Sequence, residues 1–472
     1  MTPEWLIYAA VVCAGVGLTI ALIGPRRALS VRHLALPYLA VTVVTYLLRP
    51  LLVVGLGGGF WFLDRYFYAC SRFDGMMLPL MGLSVAAAML SFGLGYRALR
   101  RPPIVAAAPG AAESGAHASR SALAAMAIIL VGYASFAVSH RGFVGISENA
   151  LVYSRHQGMG AYANSNGYFE MANYLVVTGA ILLFAATNRL WLAALVSAPW
   201  LYNQVFFGWS RHKALALVVG ILAVQILRGG RRVAPRTRLL ATAGAACLVL
   251  LGLVAMRQNR FFLSEGRDIG RTASETFSMP IDRATGDLDG FEPAWVTLHQ
   301  VATLDKTYGL EILYTCFVVL VPRQLWPGKP WPTDFTWSRL FDAEHAPAQD
   351  KWPVGAVRGS IGDALRDWGW PGLFIDFYLT GLLLGWAERR YVRTGRTPAA
   401  TAAYAAAFAL VPLLGRDGVW HILPDYVYLF LVPCVLADAW VRRNRSVDAA
   451  PARRWPARRS GEPSARLRHE PR

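Results

Sequence analysis

Long apolar stretches recur along the whole chain and are separated by short polar segments. Each stretch is long enough, or nearly so, to cross the ~30 Å hydrocarbon core of a bilayer as an α-helix. The pattern predicts eleven membrane-spanning helices, at residues 5–24, 34–54, 76–94, 122–138, 171–186, 190–206, 214–227, 239–256, 373–386, 399–414 and 422–440.

Arginine residues follow every odd-numbered predicted span. They group at 26–32, 97–101, 189, 228–238, 389–396 and from 442 onward. Because cytoplasmic loops of membrane proteins are enriched in Lys and Arg, these segments are predicted to be cytoplasmic, with the N-terminus outside and the C-terminus inside. A twelfth apolar run, 308–321, would reverse this order if it crossed the membrane. We therefore expect an interfacial or re-entrant helix there.

The composition agrees with a membrane protein. Of 472 residues, 55% are hydrophobic and 16% charged, whereas a typical soluble domain has about 25% charged residues. The net charge of +18 comes largely from arginines between the spans. It therefore indicates topology, and we expect no nucleic-acid partner. The five cysteines show no metal-ligand spacing and imply no disulfide framework. We expect no cofactor.

The predicted fold is an all-α polytopic membrane protein with four regions. Residues 1–256 hold eight spans and a disordered cytoplasmic loop at 101–120, which is rich in Ala, Pro, Gly and Ser. Residues 257–370 form one large external loop with the interfacial helix, and residues 371–441 hold the last three spans. Residues 442–472 form a disordered basic tail. We expect the acid-rich stretch 282–292, which ends at Glu292, to be a solvated loop.

Basic residues also occur on the predicted outer face, where short loops are usually poor in them. These residues are Arg211, Lys213, Arg323, Lys329, Arg358, Arg366 and Arg416. Snorkelling of long side chains to lipid headgroups explains any one of them. Together they suggest an anionic ligand, since the planar guanidinium fork suits a lipid-linked phosphate or diphosphate.

Four motifs resemble one family. "VPRQLWPGKP" at 321–330 and "GSIGDALRDWGWPGLFIDFYLTGLLLGWAERR" at 359–390 resemble segments of the Wzy-like O-antigen and oligosaccharide repeat-unit polymerases. "FFGWSRHKALALVV" at 206–219 and "GRDGVW" at 415–420 are similar to that family's Ser-Arg motif and late external turn. The acidic motif here is Gly362-Asp363, with Asp where the family more often has Glu.

The resemblance implies a GT-C-type membrane glycosyltransferase of the bacterial inner membrane that acts without a metal. Such an enzyme transfers a growing glycan from one undecaprenyl diphosphate carrier to a new lipid-linked repeat unit on the outer face. The implied partners are undecaprenyl-diphosphate-linked oligosaccharides and membrane lipids, and they could include a chain-length regulator.

This chemistry requires cations for the leaving diphosphate and a base for the acceptor hydroxyl. The candidate diphosphate ligands are Arg211, Arg323, Lys329, Arg358 and Arg416. The candidate bases are Asp363, His299, Asp417 and His421, among which we favour Asp363. Trp326 and Arg366 are candidate glycan contacts.

Each of these residues also has a structural interpretation. Asp363 can favour a helix N-terminus by its charge, or pair with Arg366 three residues later. Arg366 and Asp367 can balance each other locally, His299 can hydrogen-bond within a packed helix, and Trp326 can anchor at the membrane interface.

Two other functions remain open at the level of sequence. An O-antigen ligase or another polyprenyl-phosphate-dependent GT-C glycosyltransferase requires the same donor site. A transporter is favoured only by Arg49-Pro50 in the second span and Asp376 in the ninth, since ionisable groups within a membrane tend to mark function.

Overall fold

The structure is a computed structural model that describes residues 2–57, 60, 76–99, 115–140, 171–206, 211–228, 290–304, 321, 325–326, 359–394 and 397–448. Regular secondary structure in these residues is entirely helical. The helices of the first half are α1 (Pro3–Ile23), α2 (Pro25–Ala28), α3 (Ala35–Val43), α4 (Arg49–Gly55), α5 (Met77–Ala98), α6 (Gly115–His140), α7 (Leu175–Thr187), α8 (Leu190–Phe206) and α9 (Arg211–Arg228). Those of the second half are α10 (Phe291–Leu304), α11 (Ser360–Arg393), α12 (Pro398–Asp417), α13 (Val419–Asp425) and α14 (Val432–Asp448).

Six of the described helices are long and apolar enough to cross a membrane, which confirms an α-helical membrane protein. They are Pro3–Ile23, Ala35–Gly55, Met77–Ala98, Ala118–Val138, Pro398–Gly415 and Ile422–Asn444. The other predicted spans in the described residues coincide largely with α7, α8, α9 and the second part of α11. The span at 239–256 lies outside the described residues, so the full set of eleven stays a prediction.

Two of the long helices contain π-helical turns, at Val44–Leu48 between α3 and α4 and at Tyr426–Leu431 between α13 and α14. π-Helical turns are rare in proteins, and those that occur often lie at functional sites. The first turn carries Tyr46, whose side chain is fully buried and reaches the N-terminus of α11.

Helix α11 is central to the packing and lies against α5, α10 and α12. Its approach to α5 depends on glycine. A Cβ added at Gly95 of α5 would overlap the carbonyl oxygen of Tyr378 on α11, and one added at Gly381 of α11 would overlap that of Phe92. Small residues that let two backbones approach closely are typical of helix packing in membranes.

Three predicted boundaries are wrong. Helix α6 begins at Gly115, inside the segment 101–120 that we expected to be disordered. Alanine is the best helix former, and the end of that segment is rich in it. Helix α14 continues to Asp448, so the tail predicted at 442–472 is helical at its start.

The third correction concerns Glu292, which is fully buried in the first turn of α10 and does not lie in a solvated loop. Phe291, Ala294, Trp295 and Leu298 repeat at the spacing of one helix face, and all are buried. This apolar face holds α10 inside the protein. The helix predicted at 308–321 lies outside the described residues.

Candidate functional site

The N-terminus of α11 meets two other segments of the chain. The Ser360 hydroxyl donates a hydrogen bond of 2.8 Å to the carbonyl oxygen of Gly415 near the end of α12, and lies 3.3 Å from the Tyr46 hydroxyl. The Ile361 amide donates to the same Tyr46 oxygen at 3.3 Å. The first amide groups of a helix have no hydrogen-bond acceptor within the helix. The Tyr46 hydroxyl oxygen therefore serves as the acceptor for one of them.

Asp363 lies in the first turn of α11, as the sequence predicted, and its side chain is largely buried. A Cβ added at Gly418 would lie 3.7 Å from Asp363 Oδ2, so this carboxylate faces the turn between α12 and α13. Gly418 has a φ of +77°, which residues with a side chain rarely adopt. The chain thus reverses directly beside Asp363.

This turn is the "GRDGVW" motif, and it carries three of the candidates. Arg416 and Asp417 end α12, and His421 lies in the first turns of α13. Their backbones are described but their side chains are not. Two motifs about fifty residues apart in the sequence thus lie next to each other, as one shared site requires.

Arg366 is 1% exposed and lies between two carboxylates. Its Nε and one terminal nitrogen donate to Asp367 Oδ1 at 3.1 and 2.8 Å, and its other terminal nitrogen lies 3.8 Å from Asp363 Oδ1. A guanidinium group removed from water requires such partners. These contacts match the local charge balance that the sequence left open, and contact of Arg366 with a glycan stays a prediction.

A second buried ion pair lies beside this cluster. Arg49 of α4 donates to Glu292 Oε1 at 2.7 Å, and both residues are buried. Gly290, just before α10, is in contact with Tyr46 and Gly359, so α10 and α11 begin next to each other. Sequence analysis missed this pairing, although an arginine inside a predicted span was itself a signal that a partner is required.

Asp376 also has a structural partner. The indole Nε1–H of Trp420 donates to Asp376 Oδ1 at 2.7 Å and joins α13 to α11. Arg49 and Asp376 were the two features that favoured a transporter. Each has a partner within the protein, so neither requires a transported ion.

Together these groups make the described part of the site acidic. The carboxylates of Glu292, Asp363, Asp367 and Asp376 are buried there, whereas the buried guanidinium groups among the described residues are Arg49 and Arg366. Buried charge without compensation is unfavourable. A buried acid binds a proton or pairs with a cation, and the Arg416 backbone lies at this end of the bundle.

The remaining candidates are less closely connected to Asp363. His299 is half-buried on α10, and Thr297 of the same helix contacts Gly362. Residues two apart do not share a helix face, so His299 points away from that contact and Asp363 is the better candidate base. Trp326 is 42% exposed. Arg211 begins α9 and only its backbone is described; Arg323, Lys329 and Arg358 lie outside the described residues.

Comparison with known proteins assigns no activity. A domain family of unknown function, DUF8712, matches residues 296–390, which include α10 from Val296 onward, most of α11 and the proline-rich motif. The match covers about a fifth of the chain. Neither the curated proteins nor the solved structures gave a match. The matched segment contains Asp363, Arg366 and Asp367.

Proposed function

We propose that this protein is a membrane glycosyltransferase that polymerises undecaprenyl-diphosphate-linked oligosaccharide repeat units on the outer face of a bacterial inner membrane. One observation carries the proposal. Asp363 at the start of α11 lies against the turn whose backbone carries Arg416 and Asp417, so two separate motifs, one with an acid and one with a basic residue, lie next to each other.

In the proposed reaction, the hydroxyl of the new repeat unit attacks the anomeric carbon of the growing chain. The bond from that carbon to the diphosphate oxygen breaks, and its electron pair leaves with the diphosphate. The acceptor proton passes to Asp363, which acts as general base. A base positioned in this way typically contributes ~10²–10⁴-fold to the rate.

The leaving diphosphate requires cations held in place before the reaction, because preorganised charge supplies much of the rate enhancement at many such sites. Arg416 is the proposed ligand whose backbone lies beside Asp363. We propose Arg211, Arg323, Lys329 and Arg358 as the others. Arg366 is a positioning residue, since its guanidinium group lies 3.8 Å from Asp363 Oδ1 and is itself fixed by Asp367.

The test uses a strain from which the native gene is deleted and replaced by variants, with glycan length read on a gel. Asp363→Asn keeps the shape of the side chain and removes the base, so long chains are expected to disappear at unchanged protein level. Asp438→Asn is the matched control, because this carboxylate pairs at 2.8 Å with the exposed Arg442 on α14. Full-length chains in the Asp363→Asn strain would overturn the assignment of the base.

A further inference from the structure

The structure contains a cavity of about 300 Å³ far from Asp363. It is lined by the C-terminal ends of α1 and α5, by His33 just before α3, and by Glu388 near the C-terminal end of α11. Because Asp363 is at the start of α11, the two features lie at opposite ends of that helix. Polar and small lining residues include Gly24, Arg27, His33, Tyr96, Arg97 and Glu388. This volume is at the lower end of the range for ligand pockets.

Glu388 is fixed in the wall of the cavity and is 1% exposed. Its carboxylate accepts hydrogen bonds from the Leu34 amide at 2.9 Å and from the Tyr96 hydroxyl, and lies 3.2 Å from His33 Nδ1. The negative charge is therefore satisfied by groups of the wall. The contact at Nδ1 also orients the buried imidazole ring, since the partner of one ring nitrogen determines the role of the other.

Two arginines line the same cavity: Arg27 of α2, which is half-buried, and Arg97 in the last turn of α5, which is exposed. Arg27, Arg97 and Glu388 together carry one more positive than negative charge. Arginine presents a planar set of donors that matches phosphate oxygens. The turn at Gly24, which separates α1 from α2, places Arg27 at this cavity.

We propose that this cavity binds a phosphate group, at the end of the bundle opposite to the candidate catalytic site. The phosphate belongs either to the headgroup of an anionic lipid or to a soluble phosphate compound. Arg27 and Arg97 bind its oxygens, and the buried Glu388–His33 pair keeps the wall in place. This site is independent of the proposed polymerase activity.

Neighbouring residues provide a matched control. Arg26 precedes Arg27 in α2, is exposed and is not among the residues that line the cavity. A general attraction of basic side chains to anionic lipid depends on Arg26 as much as on Arg27. Binding at a specific phosphate site depends on Arg27 and Arg97 and not on Arg26.

The experiment measures binding to the full-length protein in detergent. In one arm, native mass spectrometry records how much short-chain phosphatidylglycerol is retained, with phosphatidylcholine as the uncharged reference. In the other, inorganic phosphate is titrated by calorimetry and tested as a competitor of that lipid. Binding of the lipid without competition identifies a lipid headgroup as the ligand; binding of phosphate, or competition by it, identifies the soluble source.

The double variant R27A/R97A is expected to weaken binding about tenfold or more, because it removes the charged hydrogen-bond donors of both arginines. R26A is expected to bind like the wild type. If R27A/R97A does not fold, R27K/R97K decides, since it keeps both charges but loses the planar forks and should weaken binding measurably. No binding of either probe to the wild type, equal binding by the wild type and the folded double variant, or an equal loss in R26A would overturn the proposal.

Discussion

Arg49 and Glu292 form the most completely buried ion pair that the structure describes. A terminal guanidinium nitrogen of Arg49 lies 2.7 Å from Glu292 Oε1. The pair joins α4 to α10 and so links the second predicted span to the segment that precedes the proline-rich motif. A buried pair adds little stability over apolar residues, but the loss of one partner leaves a buried charge without compensation. The main effect of the pair is to fix the position of α10 relative to α4.

We therefore predict that Glu292→Gln destabilises the protein by about 3–5 kcal/mol. The double variant E292Q/R49M should be less destabilised than the sum of the two single variants, because it removes both charges together. The free energy of unfolding in detergent is measured for Glu292→Gln, for Arg49→Met and for the double variant. Additive effects of the single variants would contradict the pairing.

The residue scale also shows what sequence could and could not predict. Asp363 was assigned to a helix start, and its pairing with Arg366 was one of the alternatives, because both depend on local spacing. The prediction of a solvated loop at Glu292 was wrong. It depended on the charged and turn-forming residues before Glu292 and gave too little weight to the apolar helix face that follows. Its partner is 243 positions away in sequence, and no local pattern identifies it.

At the scale of elements, α11 is two helical segments joined at a kink. Trp368 and Gly369 have non-helical backbone angles, and Gly369 has a φ of +64°. Pro371 follows, and proline is favoured at the start of a helix. The sequence predicted a boundary between loop and span here, because the apolar run begins at Leu373. It did not predict that the segment before the boundary packs inside the protein, which depends on α10.

The contact between α5 and α11 gives the prediction at this scale. Gly95→Ala should destabilise the protein by about 1–3 kcal/mol, because the added methyl group overlaps the Tyr378 carbonyl and forces the helices apart. Gly17→Ala is the matched control. Gly17 is also inside a membrane helix, but nothing lies within 4 Å of an added Cβ. This change should be neutral or slightly stabilising, since alanine favours a helix.

Thermal unfolding of both variants in the same detergent tests this contact. A loss of stability in Gly95→Ala alone supports the packing of α5 against α11. Equal melting temperatures for the two variants would mean that these helices do not approach as closely as described.

At the scale of the whole molecule, the described helices place different chemistry at the two ends of α11. Asp363, Arg366 and the turn at Gly418 lie at one end, and the cavity lined by Arg27 and Arg97 lies at the other. The sequence predicted that the arginine clusters at 26–32 and 97–101 share one side of the membrane, and their meeting at one cavity agrees with this. Which side is cytoplasmic stays a prediction.

The helical class could be predicted because apolar length and charge distribution are properties of each segment alone. The site was predicted only in part. Its motifs were identified separately, but their meeting depends on a π-helical turn, a glycine at positive φ and one long-range ion pair. None of these has a pattern that can be read in one segment.

The most direct measurement is elongation in vitro. The substrate is the lipid-linked repeat unit extracted from the host strain after deletion of this gene, and it is mixed with the purified protein. The account predicts a ladder of lipid-linked oligomers, and a rate about 10² or more lower for Asp363→Asn, with Asp438→Asn unchanged. Substrate that stays monomeric with the wild type, or that reacts only when a lipid A core acceptor is added, would contradict it.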